Sequence, residues 1–127
     1  MKKREVRLKK AESLLSKKIK DIYQNQLEHK LNRVSYRLFD HTLIVILEGT
    51  VTSSEKLLKN NARLGLAEEV RQSIDSVIHP QIRNIIEEIL NVKVIDFLSS
   101  TVIERDLTGA IAILELKPDG TLNNCKF

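Results

Sequence analysis

The feature that most limits the fold of this chain is the order in which helical and extended hydrophobic patterns follow one another. From about Glu5 to Glu28, apolar residues recur every three or four positions with no Pro or Gly between them. This spacing predicts one amphipathic helix. A second such stretch covers about Arg63 to Leu90. Pro80 lies inside it, and we expect a kink there rather than a break, because the apolar period continues beyond the proline.

Four shorter segments are predicted to be strands. Val34–Leu38 alternates apolar and polar residues, as a half-buried strand does, and Leu43–Leu47 is apolar throughout, which favours a central strand. The four residues between them are few enough to predict a hairpin. Val92–Leu98 and Ala110–Leu116 are the other two predicted strands, with turn-forming residues at Asp106–Gly109 between them.

A short helix is predicted between the two hairpins. The segment Thr52-Ser53-Ser54-Glu55 matches a capping box, in which the Thr52 hydroxyl accepts from the backbone of Glu55 and the Glu55 side chain reaches back. The helix should run to about Lys59, where two asparagines interrupt it.

The order α-β-β-α-α-β-β predicts an α+β fold, a four-stranded antiparallel sheet with helices on one face. With 127 residues, we expect a single domain over 1–127, with its core at about 34–116 and a loose tail at 117–127. The longest apolar run, Leu43–Leu47, is far shorter than the ~20 residues of a membrane-spanning helix. A lone cysteine, Cys125, fits a reducing compartment, so we expect a cytoplasmic protein.

The sequence offers little for catalysis or metal binding. Its three histidines, His29, His41 and His79, are isolated from one another and are interpreted as surface or turn residues. Gly49 could let an anion sit at the helix start, but Glu48 and Glu55 would repel it, so a bend in the backbone is the favoured interpretation. We therefore expect no catalytic residue, no metal and no cofactor.

The amino-terminal helix carries the most unusual charge. Residues 1–20 hold nine Lys and Arg against two acidic residues, in a chain of net charge +4. This face could contact nucleic-acid phosphates, anionic lipid or an acidic protein, or it could simply be solvated. No aromatic residue is interleaved with the lysines for base stacking, which counts against nucleic acid. The candidate partner-binding residues are Lys9, Lys10, Lys17, Lys18 and Lys20.

Several motifs resemble those of one bacterial family. Leu47-Glu48-Gly49-Thr50-Val51-Thr52, followed by Glu55-Lys56-Leu57-Leu58, is similar to its Leu-Glu-Gly-x-Leu-Thr-x-x-Glu-x-x-Leu stretch. Glu69-Val70-Arg71 and the segment 86–94 are similar to its Val-Arg and Ile-Glu-Glu-x-x-Gly-Val-Lys-Val segments. The family is the MpsC-like group, named for a sodium-translocating system that generates membrane potential. The resemblance covers about residues 34–116, and its motif residues are Glu48, Gly49, Thr52, Glu55 and Arg71.

The chain also departs from the family pattern. A Gly-Arg-Gly-Pro loop that usually precedes the first strand has no counterpart at Leu27–Lys30, and Asn91 stands at the glycine of Gly-Val-Lys-Val. Asparagine, like glycine, tolerates the left-handed end of a helix. The resemblance implies a cytoplasmic accessory or regulatory protein linked to ion or inorganic-carbon transport.

These observations lead to one main functional hypothesis and two rivals. The main one is a non-catalytic interaction module that forms a homodimer, since two long apolar-striped helices exceed the cover that a small sheet needs. The alternative is a nucleic-acid-binding protein that uses the basic helix. An enzyme ranks last, and a pocket that holds Glu48, Glu55 and Arg71 together would revive that hypothesis.

Overall fold

A computed structural model of the chain describes residues 2–116. It confirms the α+β class and the order α-β-β-α-α-β-β. The elements are α1 (Lys2–Leu27), β1 (Arg33–Phe39), β2 (Thr42–Glu48), α2 (Ser53–Asn60), α3 (Leu64–Leu90), β3 (Val94–Val102) and β4 (Leu107–Leu114), with a 3₁₀ turn at Ile103–Arg105. The tail predicted at 117–127, including Cys125, lies outside the described residues. Among the described residues, no helix combines the length and the apolar character that crossing a bilayer requires.

The four strands form one antiparallel sheet in the spatial order β1-β2-β4-β3. The two predicted hairpins, β1–β2 and β3–β4, are therefore joined side by side through β2 and β4. The all-apolar segment Leu43–Leu47 lies in β2, and the prediction that it forms a central strand is confirmed.

The boundaries of the second hairpin differ from the prediction. β3 begins later and extends four residues further than Val92–Leu98, and the chain turns at Ile103–Asp106 rather than at Asp106–Gly109. Leu107 to Gly109 lie in β4 instead. Thr108, which fell in the predicted turn, lies in the ladder instead, where it pairs with Thr101 and their Oγ1 atoms are 2.6 Å apart. Such hydroxyl pairs stabilise adjacent strands.

The two long helices pack side by side on one face of the sheet. α3 continues through Pro80 without interruption, so the expectation that the helix does not break there is confirmed. It ends at Asn91, whose backbone adopts the left-handed conformation (φ 54°) expected from the sequence. The core between these helices and the sheet is aliphatic apart from two tyrosines. Its largest members are Leu15, Ile19, Tyr23, Leu31, Tyr36, Leu43, Leu47, Ile78, Ile82, Ile86, Leu90 and Leu114.

The other face of the sheet is open and largely apolar. Ile44 pairs with Ile111, which pairs in turn with Leu98, so these three side chains form a row across the sheet. Leu98 is 63% exposed and Ile111 39% exposed, while the residues that flank Ile44 and Ile111 in their strands are buried against the helices. We call this surface the open sheet face and define it by Ile44, Ile46, Leu98, Val102, Ile111 and Ile113.

Candidate functional site

Three of the five motif residues converge in one buried cluster. Thr52, Glu55 and Arg71 meet where α2 begins and packs against α3. Glu55 is fully buried and Arg71 is 4% exposed. Charged residues with so little exposure are rare unless they are paired, so the geometry of this pair decides what the cluster can do.

Arg71 and Glu55 form a bidentate ion pair. Nε of Arg71 donates to Oε2 of Glu55 over 2.8 Å, and Nη2 donates to Oε1 over 2.7 Å. The same guanidinium donates to the carbonyl of Thr50 (2.8 Å) and to Oδ1 of Asp75 (3.2 Å). Burial lowers the pKa of Arg71, but the hydrogen bonds and negative charge of Glu55 and Asp75 outweigh it and raise the pKa above its usual value.

Glu55 also starts the short helix, as the sequence predicted. Its backbone N–H donates to the Thr52 hydroxyl (3.4 Å), and its carboxylate accepts from the backbone N–H of Thr52 (3.0 Å). The Glu55 carboxylate thus takes part in the helix cap and in the ion pair, and each of its oxygens accepts at least one hydrogen bond. A buried carboxylate in this state is suited to holding α2, α3 and the end of β2 in place.

The other two motif residues lie apart from this pair. Glu48 is on the open sheet face, where its Oε2 lies 3.8 Å from Nε of Arg33. Glu48 is therefore not brought together with Glu55 and Arg71 in one pocket. Gly49 adopts φ +80°, which confirms the bend expected there.

Gly49 also contacts the loop that departs from the family pattern. A Cβ on Gly49 would lie 2.6 Å from Cγ of Asn32, so a side chain at this position would displace that of Asn32. A ring nitrogen of His29 is hydrogen-bonded to the carbonyl oxygen of Gly49. The segment Leu27–Lys30 is where the family usually has its Gly-Arg-Gly-Pro loop. Through His29, this segment contacts the motif glycine, Gly49.

Short polar side chains that the sequence analysis did not single out complete the cluster. Oδ1 of Asp106 accepts from the backbone N–H of Val51 (2.6 Å), and Oδ2 of Asp106 pairs with Nζ of Lys56 (3.1 Å). The Thr108 hydroxyl donates to the Thr50 hydroxyl over 2.8 Å. The only signal for these contacts was residue type, because short hydroxyl and carboxylate side chains readily bond nearby backbone groups.

His79 is more engaged than its isolation in the sequence suggested. Its Nε2 lies 3.3 Å from Oδ1 of Asp75, and its ring is within hydrogen-bond distance of the Ser99 hydroxyl. Because Asp75 also accepts from Arg71, a chain of polar contacts runs along α3 to β3. This chain links the buried ion pair to the edge of the sheet.

The five candidate lysines are all exposed on α1, and the structure brings only some of them together. Lys17 and Lys20 line a groove of about 640 Å³ between α1 and β1, together with Arg33 and Arg37. Lys9, Lys10 and Lys17 flank Leu14 in a shallower depression, and Lys18 lines neither. The sequence analysis missed the two β1 arginines because they are distant in sequence from the basic helix.

Tyr23 is the one buried side chain in the described part of the chain whose polar atom has no hydrogen-bond partner. Its hydroxyl lies in the core near Arg71, and burial raises its pKa to about 12 despite the opposing charge of Arg71. The folded protein therefore resists ionisation of this phenol, whereas the unfolded chain ionises it near the ordinary value of about 10.

Replacing Tyr23 by phenylalanine should protect the protein in alkali. The raised pKa contributes stability below pH 10 that is lost as the pH rises to about 12. For a shift of this size the loss is about 2–3 kcal/mol. Since the hydroxyl has no partner within hydrogen-bond distance and only lies near the guanidinium of Arg71, Tyr23→Phe should leave the free energy of unfolding near pH 8 unchanged within about 1 kcal/mol. Urea unfolding of both proteins at pH 8 and above pH 11 measures the difference.

Tyr36 provides the matched control. Burial also raises its pKa to about 12, but its hydroxyl is hydrogen-bonded to Ser16 over 3.0 Å. Tyr36→Phe should therefore lose about 1 kcal/mol already near pH 8. Equal alkaline destabilisation of the wild type and Tyr23→Phe would contradict the assignment.

The fold and the cluster together define a two-layer α+β domain in which a buried ion pair joins α2, α3 and the end of β2. Its exposed features are a basic groove and an open apolar sheet face. The chain belongs to the MpsC family: the family model described as "Na+-translocating membrane potential-generating system (MpsC)" matches residues 7–116. The match confirms the resemblance found in the sequence and extends it over α1. No curated protein and no solved structure matches the chain.

Proposed function

We propose that this MpsC-family chain is a non-catalytic interaction module of the cytoplasm that acts as a homodimer through its open sheet face. As the family resemblance implies, it would serve as an accessory protein in ion or inorganic-carbon transport, and its basic helix would bind an acidic protein partner. The observation that carries the proposal is the row of exposed apolar side chains across a sheet whose other face is covered. Contiguous apolar surfaces of this kind mark sites of protein association.

The state of the buried cluster supports a role without catalysis. Both oxygens of Glu55 accept hydrogen bonds, and the Arg71 guanidinium is held by Glu55, Asp75 and a backbone carbonyl. A group that takes part in proton transfer needs contact with substrate, and these two residues are at most 4% exposed. Their arrangement favours support of the fold.

The surface for association is the sheet rather than the helix stripes considered in the sequence analysis. Most of the apolar stripes of α1 and α3 are buried in the core, where Ile19, Ile78 and Ile86 are fully buried. On the sheet, by contrast, Ile44, Ile111 and Leu98 are adjacent across three strands. Adjacent side chains can be buried together by one partner surface, which scattered ones cannot.

The charges around the open sheet face suit a second copy of the same chain. Arg37 is at the β1 edge of the face, and Asp96 is at the β3 edge. A two-fold axis parallel to the strands would place β1 of one subunit over β3 of the other, and bring Arg37 towards Asp96 of the partner subunit. An axis across the strands would instead place arginine over arginine. The first arrangement is self-complementary, as two-fold interfaces are. Sheets that pack face to face are about 10 Å apart.

The size of the face sets the expected affinity. Four strands about 4.8 Å apart, each about seven residues long, give a footprint of roughly 450 Å². Stable interfaces typically bury about 800 Å² on each partner. We therefore expect a dimer that dissociates in the micromolar range.

Sedimentation equilibrium over micromolar to near-millimolar concentrations tests the proposal. The apparent mass should rise with concentration from 14.6 kDa towards twice that value. A chain ending at residue 116 should behave in the same way, since the surface lies within the described residues. If the full chain stays at 14.6 kDa throughout the range, the homodimer is wrong. If only the shortened chain dimerises, residues 117–127 cover the face instead of a second copy.

A further inference from the structure

The two edges of the sheet are protected differently. At the β3 edge, two side chains of α3 form hydrogen bonds with the backbone of Val94. Glu87 accepts from its N–H (2.9 Å), and Arg83 donates to its carbonyl (2.7 Å). The register also shifts between Val94 and Asp96. Capping groups and bulges of this kind discourage the addition of another strand.

The β1 edge is more accessible. Within the described residues β1 pairs only with β2, so every second backbone N–H and C=O on its other side points away from the sheet. A single side chain, that of the exposed Arg37, donates to the carbonyl of Tyr36 over 2.9 Å. An exposed arginine can move aside to pair with an incoming carboxylate.

This edge opens into the basic groove beside α1. The groove holds about 640 Å³, within the range of ligand pockets, and four of its lining side chains are cationic against one carboxylate, Glu12. Lys17 and Lys20 contribute from the helix, and Arg33 and Arg37 from the strand. An extended segment lying along β1 would thus meet Lys17 and Lys20 on its helix side and Arg37 at the strand edge, whereas Arg33 is paired with Glu48.

From this geometry we infer that the groove binds an acidic, extended segment of a partner protein, which adds to β1 as a fifth strand. Backbone hydrogen bonds to β1 would supply affinity, and carboxylates facing Lys17 and Lys20 would supply selectivity. The inference rests on the acidic-partner part of the proposed function and locates it. The dimer does not depend on these two lysines, because they are on α1 and outside the open sheet face.

A nucleic-acid strand fits the groove less well. Stacking on aromatic rings contributes much of the affinity for single strands. The one aromatic residue that lines the groove, Tyr36, is 5% exposed, and its hydroxyl is bonded to Ser16. The groove therefore offers charge and a strand edge but no stacking surface.

The test uses a fluorescein-labelled peptide of alternating glutamate and valine, as long as the seven residues of β1. Its matched control carries N-methyl groups on alternate backbone nitrogens, which keeps the charge but prevents strand pairing. We expect the N-methylated peptide to bind the full chain at least about tenfold more weakly in fluorescence anisotropy. A single-stranded oligonucleotide of equal charge is titrated in parallel.

Two protein variants locate the site. Lys17→Glu/Lys20→Glu should weaken peptide binding at least about tenfold, because two attractive charges become repulsive. Lys9→Glu/Lys18→Glu changes the same charge on the same helix, and should change binding by no more than about twofold, because neither residue lines the groove. All four lysines are exposed, so thermal unfolding should show that both variants fold.

Each outcome decides a separate claim. Equal binding of the two peptides would overturn strand addition while leaving an acidic partner in place. Equal loss in the two variants, or no binding at millimolar peptide, would overturn the groove as the site. Tighter binding of the oligonucleotide, lost in Lys17→Glu/Lys20→Glu, would assign the groove to nucleic acid. Sedimentation of the same variants reports on the dimer independently.

Discussion

Replacing Arg71 with methionine is expected to lower the free energy of unfolding by about 3–5 kcal/mol. The change leaves the fully buried carboxylate of Glu55 without its bidentate partner, and removing one member of a buried ion pair typically costs this much. Domains of this size are stable by only about 5–15 kcal/mol, so the variant should be close to unfolding at physiological temperature. Urea unfolding followed by far-ultraviolet circular dichroism measures the loss.

Three further variants separate the ion pair from other effects. Arg33→Met removes a surface arginine and should cost less than about 0.5 kcal/mol. Glu55→Gln keeps a capping-box side chain but removes the charge, so it reports on the pair with the cap retained. The double variant Glu55→Met/Arg71→Met removes both charges of the buried pair and leaves only the partly exposed Asp75 without its arginine, so it should recover much of the loss apart from about 1 kcal/mol for the cap. Similar costs for Arg71→Met and Arg33→Met would show that the buried pair is dispensable.

The second large effect is expected on self-association. Ile111→Lys should weaken the proposed dimer at least about 100-fold, because burying an ammonium group in an apolar sheet interface costs several kcal/mol, and each 1.4 kcal/mol is a factor of ten. The two-fold axis presents the change twice in every dimer. Since Ile111 is already 39% exposed in the single chain, the monomer should lose little stability. Sedimentation equilibrium gives the dissociation constant.

Leu57→Lys is the matched control for this variant. Leu57 is 64% exposed on α2, away from the open sheet face, so the same substitution there should leave the dissociation constant within about twofold. Loss of the dimer in both variants would point to a general effect of charge. Retention of the dimer in Ile111→Lys would mean that the subunits associate elsewhere.

Features that depend on a few consecutive residues were predictable from the sequence. The capping box at Thr52–Glu55 and the left-handed helix end at Asn91 both form as expected, because each is decided by local backbone chemistry. The β3–β4 turn was placed too late because Gly109 resembles a turn residue, whereas only Asp106 of the predicted segment lies in the turn. The other three residues of that segment gain more from pairing across the ladder.

Features that depend on distant residues were not predictable. Nothing in the sequence indicates that Glu55 and Arg71, 16 positions apart, share one buried site, because the packing of α2 on α3 brings them together.

The open sheet face, by contrast, could have been predicted from the sequence of β2. Leu43–Leu47 is apolar on both faces of its strand, and a strand of that kind usually needs cover on both sides. Two long helices can provide only one layer.

The position of β4 in the sheet has a consequence for how the protein emerges from the ribosome. Among the described residues β4 is the last strand to be synthesised, yet it lies between β2 and β3 in the sheet. β2 pairs with β1 on one side and with β4 on the other. Before β4 is synthesised, the backbone groups on the second side of β2 have no partner strand. From the synthesis of β2 to that of β4, the nascent chain therefore carries an unpaired apolar strand edge, which is a site for aggregation.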